Sequence, residues 1–260
     1  MREIGFSTGA IALDDYKQAL RYLALLPTRA IELSALRFKE LRPLVSALAD
    51  LDLKKYTYIS MHVPSLFSAQ EEVELVSLLN EVPSSWALIV HPDAIHNCEL
   101  WRSLSSRVAI ENMDRRKNEG RSAEELCRWF EKLPNARLCL DLAHAHQCDR
   151  TMTEAFRILS NFRDRVCQLH ISELDSTGHH FPLSYGSIQA FLEIASLIPA
   201  DAPAILESLN PLQGAEDELQ QDWIEHEANR ARAALGRCEV RREMPISPMH
   251  IPLSPASVLA

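Results

Sequence analysis

Seven short apolar runs in this chain each end, or nearly end, in a residue that can bind a metal ion. Side chains alternate between the two faces of a strand, so each of these residues faces away from its apolar neighbour. The runs are Ala-Ile-Glu32-Leu-Ser, Tyr-Ile-Ser-Met-His62, Leu-Ile-Val-His91, Val-Ala-Ile-Glu111, Leu-Cys-Leu-Asp141, Cys-Gln-Leu-His170 and Ala-Ile-Leu-Glu207. Apolar strands that repeatedly place one ionisable group at the C-terminal end are typical of an α/β active site.

The strand-like runs alternate with amphipathic helical patterns along the chain. Strand candidates begin near residues 3, 29, 57, 87, 108, 137, 166 and 203. Apolar spacings of three and four predict helices at 13–26, 40–52, 70–81, 94–105, 121–133, 151–164, 185–198 and 214–236. Eight such units predict an α/β protein with a (β/α)8 TIM barrel. A doubly wound open sheet is disfavoured, because Gly5 and Gly9 do not form the dinucleotide-binding fingerprint.

Length and composition are consistent with one soluble domain. A chain of 260 residues fits a single barrel, which we expect over residues 1–236. The following segment, 237–260, contains four prolines and is predicted to be a Pro-rich, non-helical tail. The net charge of −9 disfavours nucleic-acid binding, and no apolar stretch approaches membrane-spanning length. Six cysteines without a C-x-x-C pair and an N-terminus without an apolar signal core predict a cytoplasmic protein, with a homo-oligomer left open.

The strand ends predict a metal centre. In a closed barrel they meet at one mouth, where Glu111, Asp141 and Glu207 would place three carboxylates in one partly buried pocket. Burying these carboxylates is costly unless a cation compensates, and no Lys or Arg occupies an inward strand position. Mixed His and carboxylate ligands favour one or two ions of Mn²⁺, Zn²⁺, Fe²⁺ or Co²⁺ over Ca²⁺. A purely structural role for these polar groups is the competing interpretation.

The pattern resembles the xylose isomerase-like TIM barrel superfamily, which includes sugar phosphate isomerases and epimerases, inosose dehydratases and the endonuclease IV group. The resemblance covers roughly residues 3–210. It depends on four motifs: Ala-Ile-Glu111-Asn, Leu-Asp141-Leu-Ala-His144, Leu-His170-Ile-Ser-Glu173 and Ile-Leu-Glu207-Ser. The resemblance implies a metal core made of Glu111, Asp141, His170 and Glu207.

Further histidines are similar to the additional metal ligands of the endonuclease IV group. These are His62, His91, His144 and His180, for which ligation, substrate contact and support of other ligands stay open. That group carries an Asp-x-His pair after strand seven, where this chain has Gly178-His179-His180. Gly178 therefore replaces one ligand of a trinuclear cluster, unless Asp175 moves in, and this favours a site with one or two metals.

Three functions are consistent with this pattern. The first is a divalent-metal-dependent isomerase or epimerase, or a related dehydratase, acting on a small sugar-like or polyhydroxylated carbonyl substrate by metal-assisted proton transfer. Its predicted catalytic residues are Glu111, Glu207 and His144, and its predicted substrate contacts are His62, Glu173 and His180. The alternative is an endonuclease IV-like phosphodiester hydrolase with two or three metals. The third is a non-catalytic barrel that keeps a metal for stability.

Two further features have no fixed role in the sequence. Glu32 faces inward by strand parity and would then form hydrogen bonds within the barrel. The run Asp114-Arg115-Arg116-Lys117 is either a solvated loop or an anion-binding element at the mouth.

Overall fold

Eight parallel strands close into a barrel in the computed structural model, which describes residues 2–236. In barrel order the strands are β1 (Ile4–Ser7), β10 (Ala204–Leu206), β7 (Val166–Ile171), β6 (Arg137–Asp141), β5 (Val108–Glu111), β4 (Ala87–Val90), β3 (Tyr58–His62) and β2 (Ala30–Ser34). Two short strands, β8 (Glu173–Leu174) and β9 (His180–Phe181), form a separate antiparallel pair. The barrel confirms the predicted fold, and its strands begin within one residue of the predicted positions.

Helices surround the barrel. They are α1 (Thr8–Ala12), α2 (Tyr16–Ala24), α3 (Phe38–Ala47), α4 (Ala69–Glu81), α5 (Cys98–Arg102), α6 (Ala123–Lys132), α7 (Leu142–Cys148), α8 (Thr153–Phe162), α9 (Tyr185–Leu192) and α10 (Asp217–Ala234). Serine side chains cap three of them, because Ser68, Ser122 and Ser184 each accept a hydrogen bond from the backbone three residues on. The pattern of apolar spacing did not predict α1 and α7, and it predicted a longer α5 than the structure has.

The interior of the barrel is divided between small apolar and polar side chains. Ala87, Ile89, Ala109 and Cys139 form an apolar cluster of their own, separate from the large core between strands and helices. Beside it lies a buried polar group in which Ser60 Oγ and Gln168 Nε2 both donate to Glu32 Oε2, at 3.3 and 2.6 Å. The polar group is joined to the C-terminal end of the strands through His170, whose Nε2 lies 3.0 Å from Glu32 Oε2.

Closure joins the two ends of the described chain. β1 pairs with β10 in the register Ile4 to Ala204, so the first and last strands are neighbours.

The predicted tail, 237–260, lies outside the described residues, as does Cys238, and the five described cysteines are free thiols. Within residues 2–236, no helix has both the length and the apolar content needed to cross a bilayer.

Candidate metal centre

Four side chains from four adjacent strands converge inside the mouth of the barrel. Glu111 ends β5, Asp141 ends β6, His170 lies in β7 and Glu207 follows β10. The strand register aligns Asp141 with His170, so both point inward at the same level. Each of the four offers a ligand atom, and these atoms lie within 4.8 Å of one another. Glu111, Asp141 and His170 are fully buried.

The donor set of this cluster fits a divalent metal ion. Asp141 Oδ2 is buried, and within the described chain it has no hydrogen-bond partner. Burial, together with the nearby carboxylates, raises the pKa of Glu207 to about 8 and that of Asp141 to about 6. A cation at the centre would remove both the repulsion and the unpaired oxygen. Three carboxylates and one imidazole are ligands suited to Mn²⁺, Zn²⁺, Fe²⁺ or Co²⁺.

Glu32 fixes the orientation of the His170 ring. His170 Nε2 lies 3.0 Å from Glu32 Oε2, whereas Nδ1 lies 3.0 Å from Glu111 Oε1 and 3.4 Å from Glu207 Oε2. Burial opposes ionisation of Glu32, but His170 holds its pKa below the usual value. A carboxylate that accepts from one ring nitrogen leaves the other nitrogen free to bind a metal. Strand parity placed Glu32 inside the barrel, but its partner lies 138 residues away and could not be identified from sequence.

Asn112 holds the end of β6 in place beside the cluster. Its side chain accepts from Asp141 N at 2.7 Å and donates to Asp141 O at 2.9 Å. Its carbonyl lies 2.8 Å from His144 Nδ1, so that nitrogen carries the proton and Nε2 is left for other partners. Asp141 Oδ1 also accepts from His144 N at 2.6 Å, which makes a cluster residue the N-cap of α7.

Two more histidines share Glu111 with the cluster. His62 Nε2 and His91 Nε2 each lie 3.3 Å from Glu111 Oε2. Burial opposes ionisation of Glu111, but the imidazoles of His170 and His91 hold its pKa well below the usual range. His91 Nδ1 is buried and, among the described residues, makes no hydrogen bond. Glu111 therefore joins the four-residue cluster to a second group of nitrogen donors.

His180 extends the histidine group on the side of β9. Its Nδ1 lies 2.8 Å from Ser172 Oγ and 3.7 Å from Glu207 Oε2, and its ring centroid is 5.7 Å from that of His144. Burial, followed by repulsion from His144, lowers the pKa of His180 to about 3. The neutral imidazole is the form that binds metals and accepts hydrogen bonds.

The structure gives Asp175 and Glu173 other roles. Asp175 Oδ1 accepts from Thr177 N, Thr177 Oγ1 and His179 N, so this carboxylate holds the turn between β8 and β9. Glu173 Oε2 accepts from Ser184 N at 2.8 Å and Ser187 Oγ at 3.1 Å, at the start of α9. Glu173 therefore supports a helix end, in contrast to the substrate contact predicted from the motif.

An open cavity of about 220 Å³ leads from solvent to the cluster. Its polar wall includes His62, His91, Glu111, His144, His180 and Glu207, together with Asp114, Arg116 and Lys117. Within residues 2–236, the wall does not include Asp141 or His170, which lie fully buried behind it. Glu111 and Glu207 thus both line the cavity, with 1% and 14% of their side chains exposed, whereas Asp141 and His170 do not line it.

Comparisons with known proteins agree with this architecture. A family model described as "Xylose isomerase-like TIM barrel" matches residues 74–226, more than half of the chain. No curated protein matches the sequence.

Three solved structures are similar to this one. A protein of Anabaena variabilis, provisionally described as a sugar phosphate isomerase/epimerase, is 12% identical with a TM-score of 0.56, over 90% of this chain and 99% of that chain. A barrel protein of Mycobacterium smegmatis in complex with magnesium is 13% identical with a TM-score of 0.53, over 90% and 98%. A type I 3-dehydroquinate dehydratase of Clostridium difficile is 12% identical with a TM-score of 0.50, over 86% and 93%. At these identities the likeness shows the fold alone.

Proposed function

Because this chain belongs to the xylose isomerase-like TIM barrel family, we propose that it is a divalent-metal-dependent isomerase or epimerase, or a related dehydratase. Its substrate would be a small sugar-like or polyhydroxylated carbonyl compound. The observation that carries the proposal is the arrangement of the cluster, in which Glu111 and Glu207 both line the cavity while Asp141 and His170 lie outside its wall, and Glu207 is the more exposed of the two carboxylates. A metal bound by these four residues would supply Lewis-acid polarisation of a substrate carbonyl.

The two carboxylates that line the cavity differ in charge in the metal-free protein. Burial opposes ionisation of Glu111, but the imidazoles of His170 and His91 hold its pKa well below the usual range, so this carboxylate is ionised at neutral pH. Burial raises the pKa of Glu207 to about 8, so it is able to hold a proton at neutral pH. Carboxyl groups whose surroundings move their pKa values apart are candidates for the base and the acid of one reaction.

The remaining wall of the cavity favours a hydroxylated substrate. His62, His144 and His180 place imidazoles around the two carboxylates, and Ser7 and Ser34 add hydroxyl groups that lie 2.6 Å apart. Such groups bind hydroxyls and exclude purely apolar ligands. The substrate class agrees with the provisional description of the Anabaena protein, and the magnesium in the Mycobacterium structure supports a metal requirement.

Deuterium exchange tests the assignment of Glu207. The metal-loaded protein is incubated in deuterated water with a panel of ketoses and polyhydroxylated carbonyl compounds, and exchange at carbon is followed by NMR. Glu207→Gln is expected to slow exchange about 100-fold or more, because general acid–base catalysis contributes at least that much. Glu173→Gln is the matched control, since the same change is made outside the cavity.

Metal content must be measured on every variant, because Glu207 is also a proposed ligand. If Glu207→Gln retains its metal and still exchanges protons at the wild-type rate, the assignment of Glu207 to proton transfer is wrong. Glu173→Gln that loses exchange to the same extent would show that the effect is not specific to the cluster.

A second candidate function is supported by the histidines beside Glu111. His62, Glu111 and His170 form a second group whose ligand atoms lie within 4.8 Å of one another, and His91 Nε2 lies 3.3 Å from Glu111 Oε2 beside it. A phosphodiester hydrolase with two metals would need such a second group of ligands. Metal analysis of protein purified without chelator separates the candidates. One equivalent per chain supports the isomerase or epimerase, whereas two equivalents together with cleavage of an abasic DNA duplex support the hydrolase.

A further inference from the structure

Two cations line the mouth cavity beside the candidate metal centre. Arg116 and Lys117 belong to the loop that follows β5, and they border the same cavity as Glu111 and Glu207. We propose that Arg116 and Lys117 bind the phosphate group of a phosphorylated sugar-like substrate. This inference rests on the proposed function of the cluster and adds the chemical class of the substrate.

The guanidinium group of Arg116 is held in one orientation. Its Nε donates to Asp114 Oδ1 at 2.9 Å, its Nη2 donates to Asp114 Oδ2 at 2.7 Å, and its Nη1 donates to Thr177 O. Asp114 is itself buried, with 1% of its side chain exposed. Because a fixed guanidinium loses little freedom when it binds an anion, this arrangement favours recognition of a phosphate or carboxylate fork.

Both cations keep donors for a ligand. A guanidinium has five N–H groups, and three of those on Arg116 are used by Asp114 and Thr177. Within residues 2–236, no protein acceptor takes the other two, and 42% of the side chain is exposed. Lys117 Nζ makes one ion pair, with Asp93 Oδ2 at 2.7 Å, which leaves two of its three N–H groups. The pair thus offers four free N–H groups to an anion, beside the carboxylates of Asp114 and Asp93 that already pair with the two cations.

The anion site lies next to the catalytic end of the cavity. Asp114 Oδ2, which accepts from Arg116, is 4.0 Å from His144 Nε2, and His144 Nδ1 is 3.4 Å from Glu111 Oε1. One carboxylate and one imidazole therefore separate the guanidinium from the metal cluster. A substrate that spans this distance places its phosphate on Arg116 and its reacting carbons beside Glu111.

Gly178 leaves room for the guanidinium group of Arg116 at this wall of the cavity. It has a φ of +86°, and a Cβ built on it would overlap the guanidinium carbon of Arg116. A side chain at position 178 would therefore displace Arg116 from its contacts with Asp114 and Thr177. The glycine allows the guanidinium group to keep the orientation that the proposed phosphate site requires.

Titration with inorganic phosphate tests the proposal on the full chain loaded with Mg²⁺. Isothermal titration calorimetry compares the wild type with Arg116→Gln, Arg116→Lys and Lys117→Gln. Arg115→Gln is the matched control, because Arg115 is the neighbouring exposed arginine and lines a different cavity. Loss of a charge-assisted hydrogen bond in Arg116→Gln is expected to weaken phosphate binding about tenfold or more. Arg116→Lys is expected to fall between Arg116→Gln and the wild type, and Arg115→Gln to match the wild type.

Wild-type affinity in Arg116→Gln at an unchanged melting temperature would overturn the proposal, as would an equal loss in Arg115→Gln. If Arg116→Gln does not fold, Lys117→Gln decides in the same way. Asp141→Asn, which removes a metal ligand, separates the two possible anchors. Phosphate binding that survives Asp141→Asn but not Arg116→Gln supports the proposal, and the reverse result places the phosphate on the metal and contradicts it.

Acetate is the second probe, since a carboxylated substrate would use the same donors. Tighter binding of acetate than of phosphate would contradict a phosphate site. None of these titrations depends on turnover, so a failure of proton exchange and a failure of anion binding remain distinguishable.

Discussion

Replacing Glu32 by glutamine tests how a buried carboxylate prepares the proposed metal ligand His170. Glu32 Oε2 lies 3.0 Å from His170 Nε2 and accepts from Gln168 Nε2 at 2.6 Å, and Gln168 Nε2 itself lies 2.8 Å from His170 Nε2. Because a carboxylate oxygen can only accept, Glu32 favours a proton on Nε2. Glutamine has nearly the same shape but loses the charge and can present an N–H to the ring. That N–H favours a proton on Nδ1, the nitrogen that faces Glu111 and Glu207.

The expected cost follows from the position of Glu32 directly behind a ligand. Changes in residues that hold a metal-binding histidine reduce metal affinity by about 10–100-fold, which corresponds to about 1.4–2.7 kcal/mol. Glu32 is fully buried, so water does not replace the lost acceptor, and we expect a value toward the upper end. The assay is calorimetric titration of metal-free protein with Mn²⁺ or Zn²⁺, with the melting temperature measured in parallel.

Glu72→Gln is the matched control for this substitution. Glu72 is also buried, and it accepts from His96 N and from Trp101 Nε1, both at 2.8 Å, neither of which belongs to the cluster. It is expected to lower stability and leave metal affinity unchanged. The reasoning fails if Glu32→Gln binds metal as tightly as the wild type, or if Glu72→Gln loses as much affinity as Glu32→Gln.

Three further outcomes follow from the site. Burial raises the pKa of Glu207 to about 8, whereas an unfolded glutamate titrates near about 4.3. The metal-free protein should therefore lose stability as the pH rises from about 4.3 to about 8. Thermal melts of Glu207→Gln should show a weaker pH dependence of the melting temperature. A pH dependence equal to that of the wild type would contradict the raised pKa of Glu207. Glu173→Gln should cost about 1 kcal/mol by weakening the start of α9, lowering the melting temperature by about 2–4 °C with the metal content unchanged. Gly178→Asp should destabilise the protein by about 1–2 kcal/mol, because residue 178 has a positive φ and a Cβ there overlaps Arg116. The variant should bind no extra metal. An additional equivalent of metal would show that a third metal position is usable.

The barrel and the strand ends that carry the site residues could be predicted, because each strand has a clear local pattern of apolar residues. A run such as Leu-Cys-Leu-Asp141 specifies a buried strand and the face of its last residue without reference to any other part of the chain. Short helices at the mouth were not predictable in this way. α7 has only seven residues and Asp141 is its N-cap, so its start depends on a hydrogen bond between a cluster carboxylate and His144 N.

The partners inside the barrel were beyond sequence reasoning for a geometric reason. Parity shows that Glu32 points inward, but it does not show that Gln168 and His170 meet it from the other side of the barrel. Arg116 presented the same difficulty, because its contacts with Thr177 and Gly178 join two loops that are 61 residues apart. Contacts across a closed barrel depend on strand order and tilt, which no local pattern records.

The pairing of β1 with β10 has a consequence for the order in which the site is assembled. Glu207 follows β10, and β10 pairs with both β1 and β7, so the fourth ligand arrives only with the strand that closes the barrel. During synthesis, a chain that ends before this strand holds three of the four ligands in an open sheet. Pairing across 200 residues is slow because the loop must close before its contacts form. A metal ion bound by all four proposed ligands would therefore be held only after β10 has closed the barrel, and it would stabilise that last pairing.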